Sequence, residues 1–227
     1  MSARDLSDVV IAVDGTSGSG KSSTCRGVAD RLGLRYLDTG AMFRAVTWWM
    51  LQQGVDVYDA AAVAARVDEP MLDSGTDPLG PTIAVDGVDV AAAIRTDQVT
   101  GSVSPVSTVP EVRARLLLMQ REIIGDGGIV VEGRDIGSVV WPQAQVKVFL
   151  TADPAARAER RSLEEGGSDV GATEQSLRER DRIDSGRATA PLVLADGATH
   201  LDTTTYTLEE VIDLLVGLVD EVAEAAS

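Results

Sequence analysis

Gly15-Thr16-Ser17-Gly18-Ser19-Gly20-Lys21-Ser22 is the stretch that decides the fold. It fits G-x-x-x-x-G-K-[ST], a loop built to hold phosphate. Its glycines let successive backbone N–H groups turn inward around phosphate oxygens, and the following helix presents its positive N-terminus to the same oxygens. Lys21 is placed to reach β- and γ-phosphates, and the Ser22 hydroxyl to ligate Mg²⁺; Ser23 continues the loop into the helix. The motif requires a strand before it and a helix after it. Val9-Val10-Ile11-Ala12-Val13 is a continuous β-branched run, as expected of a strand buried on both faces. Lys21 to Leu32 reads as a helix ended by Gly33. The loop alone leaves the reaction open, because the same device serves switches, motors and kinases.

Working outward, Arg35-Tyr36-Leu37 reads as a second strand and Ala41 to Gln53 as a helix closed by Gly54. Gly128 to Val131, Val146 to Leu150 and Thr199 to Asp202 supply three further strands, and Glu111 to Gly125 a helix whose core face is Val112, Leu116, Met119 and Ile123. Asp153 to Gly166 and Thr173 to Ile183 read as charged helices. Thr207 and Glu210 form a capping box for a last helix with the stripe Leu208, Val211, Ile212, Leu215, Leu218, Val219 and Val222. The alternation predicts an α/β fold with a five-stranded parallel core sheet and helices on both sides. Residues 55–107 break it. There an Ala-rich helix over Asp59 to Val67 precedes two short strands around Asp86-Gly87, a hairpin signal. We expect a core domain from 1–54 and 108–227, and an inserted subdomain at 55–107 that packs separately.

The net charge of −16 disfavours nucleic acid and anionic membranes as partners, although local cation clusters can still hold phosphates. No apolar run approaches the roughly 20 residues that span a bilayer, and no cleavage pattern follows the N-terminus, so a monomeric, cytosolic protein is expected. A single cysteine, Cys25, and a single histidine, His200, exclude an internal disulfide and metal sites built from those residues.

Only Lys21 and Lys147 are lysines; the other basic residues are arginines. Many lie downstream of the phosphate loop: Arg44, Arg113, Arg134, the set Arg157, Arg160 and Arg161, then Arg178, Arg180, Arg182 and Arg187. A lone arginine is usually a solvated surface residue. Arg134 is not placed like one, because Gly133-Arg134-Asp135 follows Ile129-Val130-Val131-Glu132, at the strand end where ligands bind in open α/β sheets. Arg157, Arg160 and Arg161 share a helical face. Clustered cations suit transfer to an acceptor that is itself a phosphate, which needs positive charge more than a general base.

Several segments, in order, resemble the bacterial cytidylate kinases over nearly the whole chain. They are Gly15 to Ser23, Leu37-Asp38-Thr39-Gly40-Ala41-Met42-Phe43-Arg44, Ser104 through Arg113, Glu132-Gly133-Arg134-Asp135-Ile136-Gly137, and Glu179 to Arg187 followed by Ala190-Pro191-Leu192. The resemblance implies a P-loop nucleoside-monophosphate kinase that moves the γ-phosphoryl group of ATP to CMP or dCMP with Mg²⁺. It would place Thr39, Arg113, Asp135 and Arg187 around the cytosine, Arg44 and Arg134 at the acceptor phosphate, and Ser104, Arg180 and Asp184 at the sugar. Lys21 and Arg134, with Arg157, Arg160 and Arg161 on a lid near 157–170, would stabilise the transferring group. A carboxylate such as Asp135 suits the N4 amino donor of cytosine. The chain departs from the family's usual Pro at Thr16, often Ser at Thr39 and often Asp at Glu132. Two alternatives remain: a P-loop kinase with another acceptor, and a nucleotide-binding regulator that transfers nothing.

Overall fold

Five strands, β1 (Val10–Gly15), β2 (Arg35–Asp38), β6 (Ile129–Glu132), β7 (Val146–Thr151) and β8 (Thr199–Asp202), form one parallel sheet in the order β2-β6-β1-β7-β8. The computed structural model describes residues 5–164, 167, 169–186 and 189–225. Every residue of β1 is buried, as its uninterrupted apolar run requires. Its side chains alternate between two cores. Val10 and Ala12 face α2 (Thr39–Gln52) and α5 (Pro110–Ile124), while Ile11 and Val13 face α1 (Lys21–Leu32) and α8 (Leu208–Ala225). Cys25 is a buried member of the second core.

The capping box forms as expected: the Glu210 amide donates to Thr207 Oγ at 3.3 Å, and the Thr207 amide donates to the Glu210 carboxylate at 2.8 Å. Val211, Ile212, Leu215 and Val219 are buried, whereas Leu208 is exposed at the start of the helix. Gly27 on α1 lets α8 approach closely, since a Cβ there would lie 2.3 Å from Ile212 Cδ1.

The insert contains α3 (Ala60–Ala65) and an antiparallel sheet of β3 (Leu72–Ser74), β4 (Ile83–Val85) and β5 (Val88–Asp89), with the β4–β5 turn at Asp86-Gly87. Its apolar residues do not make a core of their own. Val57, Val63, Ile83, Val85 and Ile94 join the cluster that contains Leu37 and Met42. An insert of this size buries too little surface to stand alone, so it completes the core of its host. One helix, α4 (Asp97–Thr108), has no counterpart in the sequence reading. Gly101, Pro105 and several β-branched residues give it poor intrinsic propensity, and burial of Val99, Val103 and Val106 overrides that. The charged segments form α6 (Pro154–Glu164) and α7 (Val170–Gly186). Residues 165, 166 and 168 of the expected lid lie outside the described residues. No described helix is long and apolar enough to cross a membrane.

Gly27→Ala is expected to lower stability by about 1–3 kcal/mol through overpacking. In urea denaturation, adding Ile212→Val should recover part of that loss by removing the clashing methyl. Full stability of Gly27→Ala alone would show that the two helices are not so close.

Candidate active site

The carbonyls of the loop between β1 and α1 are taken up by side chains, most of them from distant parts of the chain. Lys21 Nζ donates to the carbonyls of Gly15 at 3.0 Å and Thr16 at 2.7 Å. Arg134 also donates to the Gly15 carbonyl, and Arg157 to that of Ser17 at 2.9 Å. Thr203 Oγ donates to the Ser19 carbonyl at 3.2 Å. The Ser17 amide donates to Asp181, which is ion-paired with Arg157. Gly15 fits only as glycine: its φ is +148°, and a Cβ would fall 2.0 Å from the Leu150 carbonyl oxygen.

One cleft opens beside this loop, at the carboxyl ends of the central strands. Ser17, Gly18, Gly20, Lys21, Ser22 and Ser23 line one wall. Thr39 and Arg44 from α2, Ser104 from α4 and Arg113 from α5 line another, with Arg134 and Asp135 after β6 between them. Arg161 from α6, and Arg180 and Asp184 from α7, complete it. Arg113 and Asp135 form a buried ion pair, and the Arg113 guanidinium lies 5.4 Å from the centroid of the Phe43 ring. Thr39 Oγ donates to the Glu132 carbonyl at 2.7 Å, which leaves its lone pairs toward the cleft. Arg44 pairs with Asp38 at 3.0 Å and Arg134 with Asp184 at 2.8 Å.

The electrostatics are those of a site waiting for anions. Arg180 makes no hydrogen bond among the described residues, and burial, then the charges of Arg134 and Arg44, push its pKa down to about 10. Arg44 Nε is buried without a partner among them. Burial and the Arg134 charge push Lys21 down to about 7. Asp14, next to last in β1, is raised to about 6 by burial; it accepts from the amides of Ile136 and Gly137, both at 2.8 Å, and so ties β1 to the segment that carries Arg134 and Asp135.

Some expected residues are not brought to the cleft. Arg157 is buried beneath the phosphate loop. Arg160 bonds to Thr203 at 2.7 Å and lines a second groove, across the loop, with Ser19, Thr24 and Tyr206. Arg187 lies outside the described residues. Gly15 and Thr16 form the base of the loop rather than its open wall, and the Thr16 hydroxyl is buried without a partner among the described residues. Phe43 and Arg95 line the cleft without having been picked out from the sequence. Phe43 adjoins Arg44, and that was the available signal; Arg95 sits in a short helical turn of the insert with no motif around it.

A family model described as cytidylate kinase matches residues 11–221. A cytidylate kinase of Streptomyces avermitilis is 55% identical over 221 residues, covering 96% of each chain. One from Streptomyces coelicolor is 57% identical over 215 residues, covering 94% of this chain and 93% of the other. Among solved structures, a gluconokinase from Sinorhizobium meliloti superposes with a TM-score of 0.53 at 16% identity, over 96% of this chain and 95% of its own, a likeness of fold.

Arg180→Met should raise the melting temperature of the nucleotide-free protein, because it removes the repulsion between Arg180 and the charges of Arg134 and Arg44. The same variant should lose most of the thermal shift produced by nucleotides. A destabilised free protein would mean that Arg180 holds the fold rather than a ligand.

Proposed function

The chain belongs to the cytidylate kinase family, and on that premise we propose that it transfers the γ-phosphoryl group of ATP to CMP, and to dCMP, giving ADP and CDP or dCDP. The observation that carries this reading is the meeting, in one cleft, of a phosphate loop with the buried Arg113–Asp135 pair. ATP would lie with its β- and γ-phosphates against Gly18, Gly20 and Lys21 of the loop. CMP would enter from the side of α2 and α4, its phosphate toward Arg44 and Arg134 and its sugar near Ser104, Arg180 and Asp184. Cytosine presents an amino donor to Asp135 and to the Thr39 hydroxyl oxygen, and ring acceptors to Arg113. Uracil would put an oxygen against the carboxylate, a buried mismatch that such a site rejects. The reading assigns the cytosol as the place of action and a monomer as the working unit.

The oxygen donors present suit Mg²⁺. The Ser22 hydroxyl lies at the cleft, beside the Glu132 carboxylate. No cluster of three or more candidate metal ligands occurs among the described residues. An ion there would be held by one hydroxyl, water and substrate phosphates rather than by a protein cage. Held at Ser22, Mg²⁺ would supply positive charge to offset that of the phosphates.

The phosphate acceptor is an anion already, so no general base is needed. The residues supply alignment and charge. Lys21 follows the γ-phosphoryl group as it leaves ADP, while Arg134, which reaches both the loop carbonyl of Gly15 and Asp184, links donor and acceptor sides. Arg161 faces the transferring group from α6. Arg157 acts through the loop backbone, as a positioning residue, and Arg160 borders the groove where the donor's base would lie. Closure of α6 and α7 would exclude water from the cleft.

Against Mg-ATP, CMP and dCMP should be turned over in preference to UMP, AMP and GMP in a coupled ADP-release assay. Asp135→Ala should raise the KM for CMP by about 10- to 100-fold while leaving that for ATP nearly unchanged; equal losses for both substrates would make Asp135 structural. Lys21→Ala should lower kcat by roughly 100-fold or more. In the free protein Lys21 titrates near 7. A bound polyphosphate favours the ammonium and raises that value, so ATP binding at about pH 8 should take up protons and binding at about pH 6 should not. Calorimetry in buffers of different ionisation enthalpy reads this directly, and buffer-independent heats at both pH values would contradict it.

A further inference from the structure

Tyr36 lies on β2, is 1% exposed, and faces the core formed with α1. Its hydroxyl donates to Glu132 Oε1 at 2.5 Å. β2 and β6 are parallel neighbours, with Tyr36 opposite Val130 and Asp38 opposite Glu132, so the phenol reaches diagonally to the carboxylate two residues along the partner strand. Glu132 is itself 3% exposed and lines the cleft beside the Ser22 hydroxyl. Tyr36 on β2 and Glu132 on β6 therefore form a buried hydrogen-bonded pair whose carboxylate adjoins the exposed Ser22 hydroxyl of α1 at the cleft.

We propose that Tyr36 is a positioning residue for the metal: by holding one oxygen of Glu132, it fixes the other as acceptor of the Ser22 proton and so turns a Ser22 lone pair toward the ion. The inference rests on the reading of Ser22 as the Mg²⁺ ligand given above. A serine hydroxyl rotates freely, and it ligates a cation through oxygen only if its proton points elsewhere. A carboxylate beside it can take that proton, but an unanchored carboxylate also rotates and can be driven by the repulsion of Asp38 away from Ser22 or toward solvent in the cleft. Tyr36 removes that freedom. A tyrosine is suited to the task because its ring fills the core between β2 and α1 while its tip remains polar. Outer partners of this kind orient ligands without touching the metal.

The test is the gain in ADP affinity that Mg²⁺ confers, from titration calorimetry with excess Mg²⁺ and with EDTA. Tyr36→Phe keeps the ring and removes the hydroxyl. It should leave ADP affinity in EDTA unchanged and cut the Mg²⁺-dependent gain by about tenfold. In a Ser22→Ala background, Tyr36→Phe should have no further effect on that gain. An unchanged gain, an equal loss with and without Mg²⁺, or an undiminished effect in the Ser22→Ala background would each overturn the proposal. If Tyr36→Phe folds poorly, Glu132→Gln with Tyr36 retained should show the same selective loss, and a full gain in that variant would also overturn it. A wild-type protein whose ADP affinity ignores Mg²⁺ would instead refute the assignment of Ser22, a result distinguishable from failure of Tyr36 alone.

Discussion

A loop that aims its N–H groups at a ligand leaves its carbonyls facing outward, and a buried carbonyl without a donor costs about 1–3 kcal/mol. Much of this structure follows from meeting that requirement. The carbonyls of Gly15, Thr16, Ser17 and Ser19 are met by Lys21, Arg134, Arg157 and Thr203. These donors come from α1, from the segment after β6, from α6 and from the segment after β8. Residues up to 184 positions apart are thereby fixed around one loop. The parallel order of the sheet makes it possible, because β6, β1 and β7 are adjacent and deliver their carboxyl ends to the same edge.

The same convergence creates electrostatic strain. Arg134 satisfies a loop carbonyl yet also depresses Lys21 and Arg180. The free protein holds these cations close together although their repulsion opposes it, and polyphosphate relieves that repulsion. Stability is given up at the place where binding needs it, and the acidic remainder of the chain offsets the local excess of positive charge.

The two central strands β1 and β6 were legible because they are fully buried: Val10 to Val13 and Ile129 to Val131 are continuous apolar runs with no polar alternation to confuse them. The β4–β5 turn and the Thr207–Glu210 box were legible because they are local chemistry. α4 was not, because it exists through contacts with α2 and α5 rather than through its own residues. Most of the cleft could be read from motifs that end on strands. The spacing of Arg157, Arg160 and Arg161 placed them on one helical face, but three neighbouring arginines on a face still meet different surroundings. Arg157 goes beneath the loop, Arg160 to the groove beside Thr203, and Arg161 to the cleft. Tyr36 passed as a strand residue, since nothing in its own segment reveals the acid on the neighbouring strand.

The central claim is transfer from one nucleotide to another, and following the γ-phosphorus tests it most directly. With γ-³²P-labelled ATP, CMP and Mg²⁺, the account predicts label in the β-phosphate of CDP, resolved by chromatography, with little released as inorganic phosphate. Label found only as inorganic phosphate, or retained in bound ATP in the presence of CMP, would contradict it.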